Sequence, residues 1–385
     1  MPLKLAAGAA DVTSAALTLD SAGRLHVVWS ENGEILHRVK AGGRWTAPAR
    51  VASGVDPDLA RDAAGHVYLA FANRFAGNDD IYFSRWSEGG WSPPQNISET
   101  AGASCNPRLA VGADGQVAVV WAEEVAGMHL IFLARTANGL DWSLGPVPDA
   151  QGGHPVVALD SLGNLWVAWQ DALDLGLPLV VFCSRWTGSQ WMLPTAFSAS
   201  LMADAALPAM AADREKIGLA WQEGTAVWLV EWTGSAWGTP AQCSGAEAAL
   251  APALTWGEGD GIHLAWATND GVTYCFRPAA GFWQPAEAVA GGQASPAGVR
   301  IAAGAVAHAI WLAVDSGGVR GLYYSEQTVI EPSATPSVSA TGNPVPAATA
   351  TSSPTATLTP VVGPTATRSP AAAHRACLPS ILAGS

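Results

Sequence analysis

The sequence predicts an all-β protein, a seven-bladed β-propeller of four-stranded blades, and three observations carry that prediction. Six tryptophans, Trp45, Trp91, Trp142, Trp191, Trp237 and Trp283, recur at intervals of about 46 to 51 residues. A period in this range marks an array of one supersecondary unit. Each follows a Gly-containing turn and is followed within four residues by Pro. Apolar runs ending in an aromatic recur in the same register, at Trp29, Phe71, Trp121, Trp169, Trp221, Trp266 and Trp311. The runs are rich in β-branched and aromatic residues, are too short for helices, and are separated by Gly, Pro, Asp and Asn turns.

Taken in order, a unit opens with Pro and a short apolar strand, as in Pro57-Asp58-Leu59-Ala60 and Pro107-Arg108-Leu109-Ala110. A polar turn such as Asp62-Ala63-Ala64-Gly65 leads to the second strand with its aromatic. The third strand often ends in Arg, at Arg85, Arg135, Arg185 and Arg277, and the Trp turn opens the fourth. The seventh unit, from about Pro296 to Gln327, has three strands only. Pro2-Leu3-Lys4-Leu5-Ala6-Ala7-Gly8 matches Pro48-Ala49-Arg50-Val51-Ala52-Ser53-Gly54, so the N-terminus is expected to supply the missing outer strand and close the ring. An open ring would leave an unpaired sheet edge. Met1 stands where the Trp turn should run, and the natural protein is expected to extend upstream into a secretion signal.

Composition bounds the rest. The chain of 385 residues is 49% hydrophobic and only 13% charged, which suits burial between neighbouring blades. A formal net charge of −13 argues against nucleic acid or an anionic membrane as partner. No apolar run in residues 1–329 approaches a membrane span. Residues 330–373 form a Pro/Thr/Ser/Ala tract that reads as a disordered linker or stalk, with O-glycosylation as one use. Residues 374–385 turn apolar again; they are similar to short tails that follow Thr/Pro tracts in secreted bacterial surface proteins, and surface attachment is expected through them. The stalk argues for a location outside the cell, extracellular or at the cell surface. Of five cysteines, Cys183 and Cys275 fall at equivalent third-strand positions two blades apart, too far for a bridge, and no CxxC pair is present.

In a propeller, the second-to-third loops and the blade-to-blade loops emerge on one face around a central funnel. That face collects acids and a few bases. The candidate ligand-binding residues there are Glu31, Asp56, Arg74, Arg108, Glu123, His154, Asp171, Glu223 and Asp270. Solvated loops of an acidic protein give the same pattern, although loops on a rigid scaffold are where sites usually sit. No catalytic motif, metal-ligand spacing or cofactor fingerprint appears, so no catalytic residue, metal or cofactor is expected, with a structural divalent cation at the acidic face as the alternative. The second-strand aromatics read as blade-to-blade packing. His26, His66 and His263 follow the blade spacing and read as strand residues.

Asn78-Asp79-Asp80-Ile81-Tyr82-Phe83-Ser84-Arg85, followed by Gly89-Gly90-Trp91-Ser92-Pro93-Pro94, resembles the sialidase-like propellers with Asp-box (BNR) repeats. Asp160-Ser161-Leu162-Gly163-Asn164-Leu165-Trp166 is similar, and Thr136-Ala137-Asn138-Gly139-Leu140-Asp141-Trp142 is the nearest to the box itself, which is degenerate here. The resemblance covers about residues 1–327 and implies the fold. The sialidase set of three arginines, a Tyr–Glu nucleophile pair and an acid is not recognisable. The expected function is therefore a secreted or surface-held binding module whose partner is a glycan or a protein. The alternatives are a glycoside hydrolase or lyase using an inter-blade carboxylate pair, such as Glu31 with Glu223, and a structural surface protein.

Overall fold

The computed structural model describes residues 2–6, 11–73, 78–174, 176–200, 202–245, 247–257, 260–279, 281–291, 294–315 and 318–328. The stalk and tail expectations for 330–373 and 374–385 lie outside the described residues. Seven antiparallel sheets stand around a ring; each is a four-stranded blade of consecutive strands, except that the outermost strand of blades 1 and 2 is split into two short pieces and blade 7 takes its outermost strand from the N-terminus. The innermost strands are Val12–Leu19, Val55–Arg61, Ser104–Val111, Gly153–Leu159, Ala205–Asp213, Leu250–Trp256 and Ala294–Ala303, in blades 1 to 7. In blade 7, Leu3–Lys4 pairs with the third strand Arg320–Thr328, Leu3 opposite Tyr324 and Lys4 opposite Tyr323. The ring is closed by the N-terminal strand, and the Lys4 ammonium ties it to Asp315 at 2.9 Å.

The core is divided by interface, not by blade. Each of the hydrophobic clusters joins two neighbouring blades: Trp29 belongs to the cluster between blades 7 and 1, Phe71 to that between 1 and 2, Trp121 to 2 and 3, and so round to Trp311 between 6 and 7. The second-strand aromatic is the wedge in every case and is fully buried or nearly so. Truncating such a residue to Ala costs about 3–5 kcal/mol. The Trp residues of the six-fold repeat take a lesser part. They are half-buried, and Trp45, Trp91, Trp142, Trp191, Trp237 and Trp283 each pack against the edge of a cluster.

A buried indole N–H needs an acceptor. Residues i and i+2 of a strand share a face, and three blades use this. Trp29 donates to Glu31 at 2.8 Å, Trp121 to Glu123 at 2.9 Å, and Trp221 to Glu223 at 3.1 Å. Trp311, with Ala313 two residues on, has a buried Nε1 with no partner among the described residues. The arginines that end third strands also have a packing role. Arg185 lies 5.1 Å from the ring centres of both Trp166 in its own blade and Trp232 in the next, and Arg135 lies 5.1 Å from Trp186. Each such contact is worth about 0.5–2 kcal/mol.

A chain of buried hydrogen bonds fastens blade 1 to blade 2. Trp91 Nε1 donates to His37 Nδ1 at 3.2 Å, His37 Nε2 meets His26 Nδ1 at 3.1 Å, and His26 Nε2 faces Asp20 Oδ2 at 3.4 Å. Indole is a donor only. His37 must therefore accept at Nδ1 and donate from Nε2, which makes His26 an acceptor at Nδ1 and a donor to Asp20. Both rings are neutral in this arrangement.

Two predictions follow from the packing. Trp121→Phe removes a donor from the buried Glu123 carboxylate, whereas Trp311→Phe removes an N–H that has no acceptor among the described residues; the first is expected to cost about 1.5–3 kcal/mol more than the second in denaturant unfolding, and equal losses would contradict the Trp–acid pairing. The second concerns pH. Burial lowers His37 to about 3, and lowers His263 and His308 to about 4, from an ordinary value of 6.5. Below about pH 6.5 the unfolded chain takes up protons that the folded ring refuses, so stability is full above that pH and is lost as pH falls toward the folded values. A thermal midpoint that drops steadily from pH 7 to about 4.5 is expected; a flat profile would contradict burial of neutral histidines.

Candidate functional site

The strand connections predict which end of the ring carries the site. The blade-to-blade loops and the second-to-third loops share one face, and every innermost strand starts there. Each of these strands is broken near its start by a register shift, for example between Val55 and Asp58, Cys105 and Arg108, and Gly153 and Val156. The bulge residue has a left-handed backbone in six blades, at Asp56 (φ 50), Asn106 (φ 54), His154 (φ 49), Leu207 (φ 51), Ala251 (φ 48) and Gly298 (φ 57). Asn, Asp and Gly adopt this region readily; Leu and Ala are held there at a cost of about 1–2 kcal/mol. Gly152, just before the blade 4 strand, sits where a Cβ would lie 2.1 Å from the Gln170 carbonyl oxygen, so the incoming chain must pass as glycine.

Beyond the bulge the ladder resumes, and it places one residue of each blade opposite the position before the second-strand aromatic. Around the ring these are Ala16, Asp58, Arg108, Val156, Ala209, Ala253 and Arg300. All of them line a central cavity of about 230 Å³. The bulge residues His154, Leu207, Ala251 and Gly298 line it as well, one step nearer the mouth. Among the described residues the cavity is lined by innermost strands, and it is divided by sector: Asp58, Arg108 and Arg300 lie on blades 2, 3 and 7, and Val156, Ala209 and Ala253 on blades 4 to 6.

The charged sector is under electrostatic load. Burial, reinforced by Arg108, lowers Arg300 to about 10, against the pull of Asp58 and Asp56. Burial raises the Asp56 carboxyl, with Arg108, Ser14 and Arg300 opposing. Burial and the two arginines lower His154 to about 4, so its imidazole is neutral at ordinary pH. Asp58 accepts the Leu109 N–H at 2.8 Å across the blade 2–3 junction. Arg108 and Arg300 each donate to the carbonyl of the residue before them, at 2.7 and 3.0 Å. Among the described residues neither guanidinium has a carboxylate oxygen within the 4.0 Å of a salt bridge.

The residues predicted from sequence separate into three groups. Arg108 and His154 meet in the cavity, with Asp56 close enough to act on both arginines; these were expected on connecting loops and are strand residues, because the bulge draws the strand start to the mouth. Glu31, Glu123 and Glu223 were likewise expected on loops. They belong to second strands, where Trp29, Trp121 and Trp221 hold their carboxylates. Glu223 also accepts from the N–H groups of Ala199 and Ser200 and the hydroxyls of Ser198 and Ser200. Burial opposes its charge, but these donors hold its carboxyl below the ordinary range. Glu31 and Glu223, suggested as a pair, each meet the indole two residues before them in their own strand. Asp171, also within a second strand, accepts the N–H of Ala172, and Asp270 lies exposed in a tight turn. Arg74 lies outside the described residues. Arg300 was not singled out. In blades 2 to 6 the channel residue directly follows Pro (Pro57, Pro107, Pro155, Pro208, Pro252), and that is the signal for it; Arg300 follows Val299 instead. Among the described residues no three His, Cys, Asp or Glu side chains gather as a metal site, and no helix is long and apolar enough to cross a membrane.

No protein-family model matches the chain, and no curated protein matches it. Solved structures do. A catalytically inactive virginiamycin B lyase from Staphylococcus aureus, determined with quinupristin, is 13% identical at a TM-score of 0.53, over 84% of this chain and 98% of that one. A protein of unknown function from Dyadobacter fermentans is 12% identical at 0.52, over 72% and 95%. The Aleuria aurantia lectin in complex with α-methyl-L-fucoside is 14% identical at 0.49, over 73% and 95%. At such identities the likeness is one of fold.

The strained bulges give a direct test. Ala251→Gly relieves a left-handed alanine and is expected to raise stability by up to about 1 kcal/mol after the entropy of the added glycine is counted. A loss of stability would mean that the position is not strained.

Proposed function

We propose that this propeller is a secreted or surface-held binding module that takes one terminal group of a glycan into its channel mouth, with a protein ligand as the second choice. The observation that supports this is the divided cavity. Two guanidinium groups that have no carboxylate partner among the described residues face a sector of Val, Ala and Leu side chains across a space of about 230 Å³. A sugar ring bearing an acidic or hydroxyl-rich edge and an apolar C–H face matches both halves. The volume is below the ~300–1,000 Å³ that buries a whole drug-sized ligand, so a single terminal residue enters and the remainder lies over the mouth. Localisation outside the cell rests on the Pro/Thr-rich tract alone.

An enzymatic reading has one observation in its favour, the neutral imidazole of His154 beside Arg108 and Arg300, a set able to take a proton next to an acidic group. Turnover of a fluorogenic glycoside panel, or the ultraviolet absorbance of an unsaturated uronate, abolished by His154→Ala, would establish it in place of simple binding.

The binding reading is tested on a glycan array carrying matched acidic and neutral glycans. Binding is expected to favour acidic termini, to weaken with salt, and to fall about tenfold or more in Arg108→Met and in Arg300→Met, as loss of a charged hydrogen bond worth about 1.5–3 kcal/mol requires. An array and a pull-down that are both blank, or binding indifferent to both substitutions, would remove the basis for this reading.

A further inference from the structure

We propose that the channel binds its acidic ligand together with a proton, which His154 takes up to become a third cationic donor beside Arg108 and Arg300, a step that rests on the reading of the mouth as a site for an acidic sugar edge. His154 differs from the other enclosed histidines in its bonding. His26 meets His37 and Asp20, His263 meets Tyr274 at 2.7 Å, and His308 meets Tyr324 at 2.9 Å. The His154 imidazole lines the channel cavity, and among the described residues neither of its ring nitrogens has a hydrogen-bond partner. Buried polar groups are normally paired, so an unpaired imidazole in a cavity wall calls for a partner that enters. The fold does not require the residue. The same bulge position is Leu207, Ala251 and Gly298 in the next three blades, and these line the cavity at the same level.

The charges that bear on the ring are Arg108 of blade 3 and Arg300 of blade 7, and both oppose its protonation, as burial does. On blade 2, Asp58 lines the cavity and accepts the Leu109 N–H, while Asp56 acts on both arginines. The second strand of blade 4 carries Asp171, which accepts the Ala172 N–H. Blade 5 brings only uncharged residues to the cavity, Leu207, Pro208, Ala209 and Met210. An anion seated against both guanidinium groups reverses this balance. It offsets the repulsion that keeps His154 neutral and gives the imidazolium an acceptor, so the ring's proton affinity rises from about 4 toward the ordinary value of 6.5. By linkage, the proton strengthens the anion by the same factor. The complex then holds more protons than the free channel, so affinity is greatest on the acid side and falls as pH rises through the value of His154 in the complex. Burial raises the Asp56 carboxyl as well, and a nearby anion raises it further, so Asp56 is the other group able to take the proton.

The probe is D-glucuronate, whose carboxylate is ionised across the range used. Calorimetric titration of the full chain at about pH 5 and about pH 7.5, in paired buffers of unlike ionisation enthalpy, reads both affinity and protons taken up. Binding is expected to be about fivefold or more tighter at the lower pH, with about half a proton or more taken up there and almost none at the higher. His154→Asn puts a residue that tolerates the left-handed backbone in its place, and is expected to remove both the pH dependence and the uptake. Asp56→Asn is expected to keep both. Binding that is equal at the two pH values yet lost in Arg108→Met overturns the proton coupling and leaves the binding reading in place. Uptake that survives His154→Asn and disappears in Asp56→Asn overturns the role of His154. No binding at either pH, in a chain shown to be folded by near-ultraviolet circular dichroism, removes both.

Discussion

One constraint governs this molecule: a four-stranded blade has two apolar faces and can bury them only against its neighbours. The second-strand aromatic is the wedge that does so, and its indole nitrogen brings a second requirement with it. A strand supplies the acceptor at the position two along, on the same face, and that places Glu31, Glu123 and Glu223 where they are. Part of the acidity around the mouth is therefore a consequence of packing tryptophan. Glu223 shows how far this goes. Its carboxylate gathers donors from Trp221 and from Ser198, Ala199 and Ser200, so a loop is fastened to the same acid that satisfies the wedge.

The innermost strands have the opposite problem. Their sides face each other across a narrow channel, and seven strands cannot all send large side chains inward. The bulge at each strand start turns the chain so that one residue per blade enters the channel beyond it. Small residues, Ala16, Ala209 and Ala253, are the default solution on three blades. The ring is consequently a scaffold on which each blade contributes one chemical choice, independent of the packing behind it.

This division explains what could be read in advance. The blades were legible because strand pattern, turn chemistry and the wedge aromatic repeat together, and closure by Leu3–Lys4 followed from the same pattern at the other end of the chain. The site was legible only where the repeat carried it. Arg108 and His154 stand beside the Pro that opens their strands. Arg300 follows Val299, so nothing local marked it as the same position. Glu31, Glu123 and Glu223 were misplaced for a different reason. A strand end and a loop start have the same composition when the strand ends on an acid, and only the ladder shows that the side chain turns inward to an indole. The third-strand arginines were visible as a pattern, but their aromatic partners lie partly in the next blade, as Trp232 does for Arg185, and an inter-blade contact leaves no mark within one repeat.

The equivalence of the channel positions also allows a weighing of cost against need. Alanine at three of them shows that the ring closes without charge there. Yet blades 2, 3 and 7 place Asp58, Arg108 and Arg300 at that level, and blades 2 and 4 add Asp56 and His154 at the bulge. Burial disfavours the charged form of Asp56, His154 and Arg300 alike. Charges taken from water and not closed into salt bridges weaken a fold. Two guanidinium groups that, among the described residues, donate only to their own backbone are thus a penalty the architecture does not require. Such local violations of packing logic are expected where a protein acts on something else. The tryptophans build the ring, but the arginines at its centre have no structural need to answer, and it is their side of the channel that a ligand would complete.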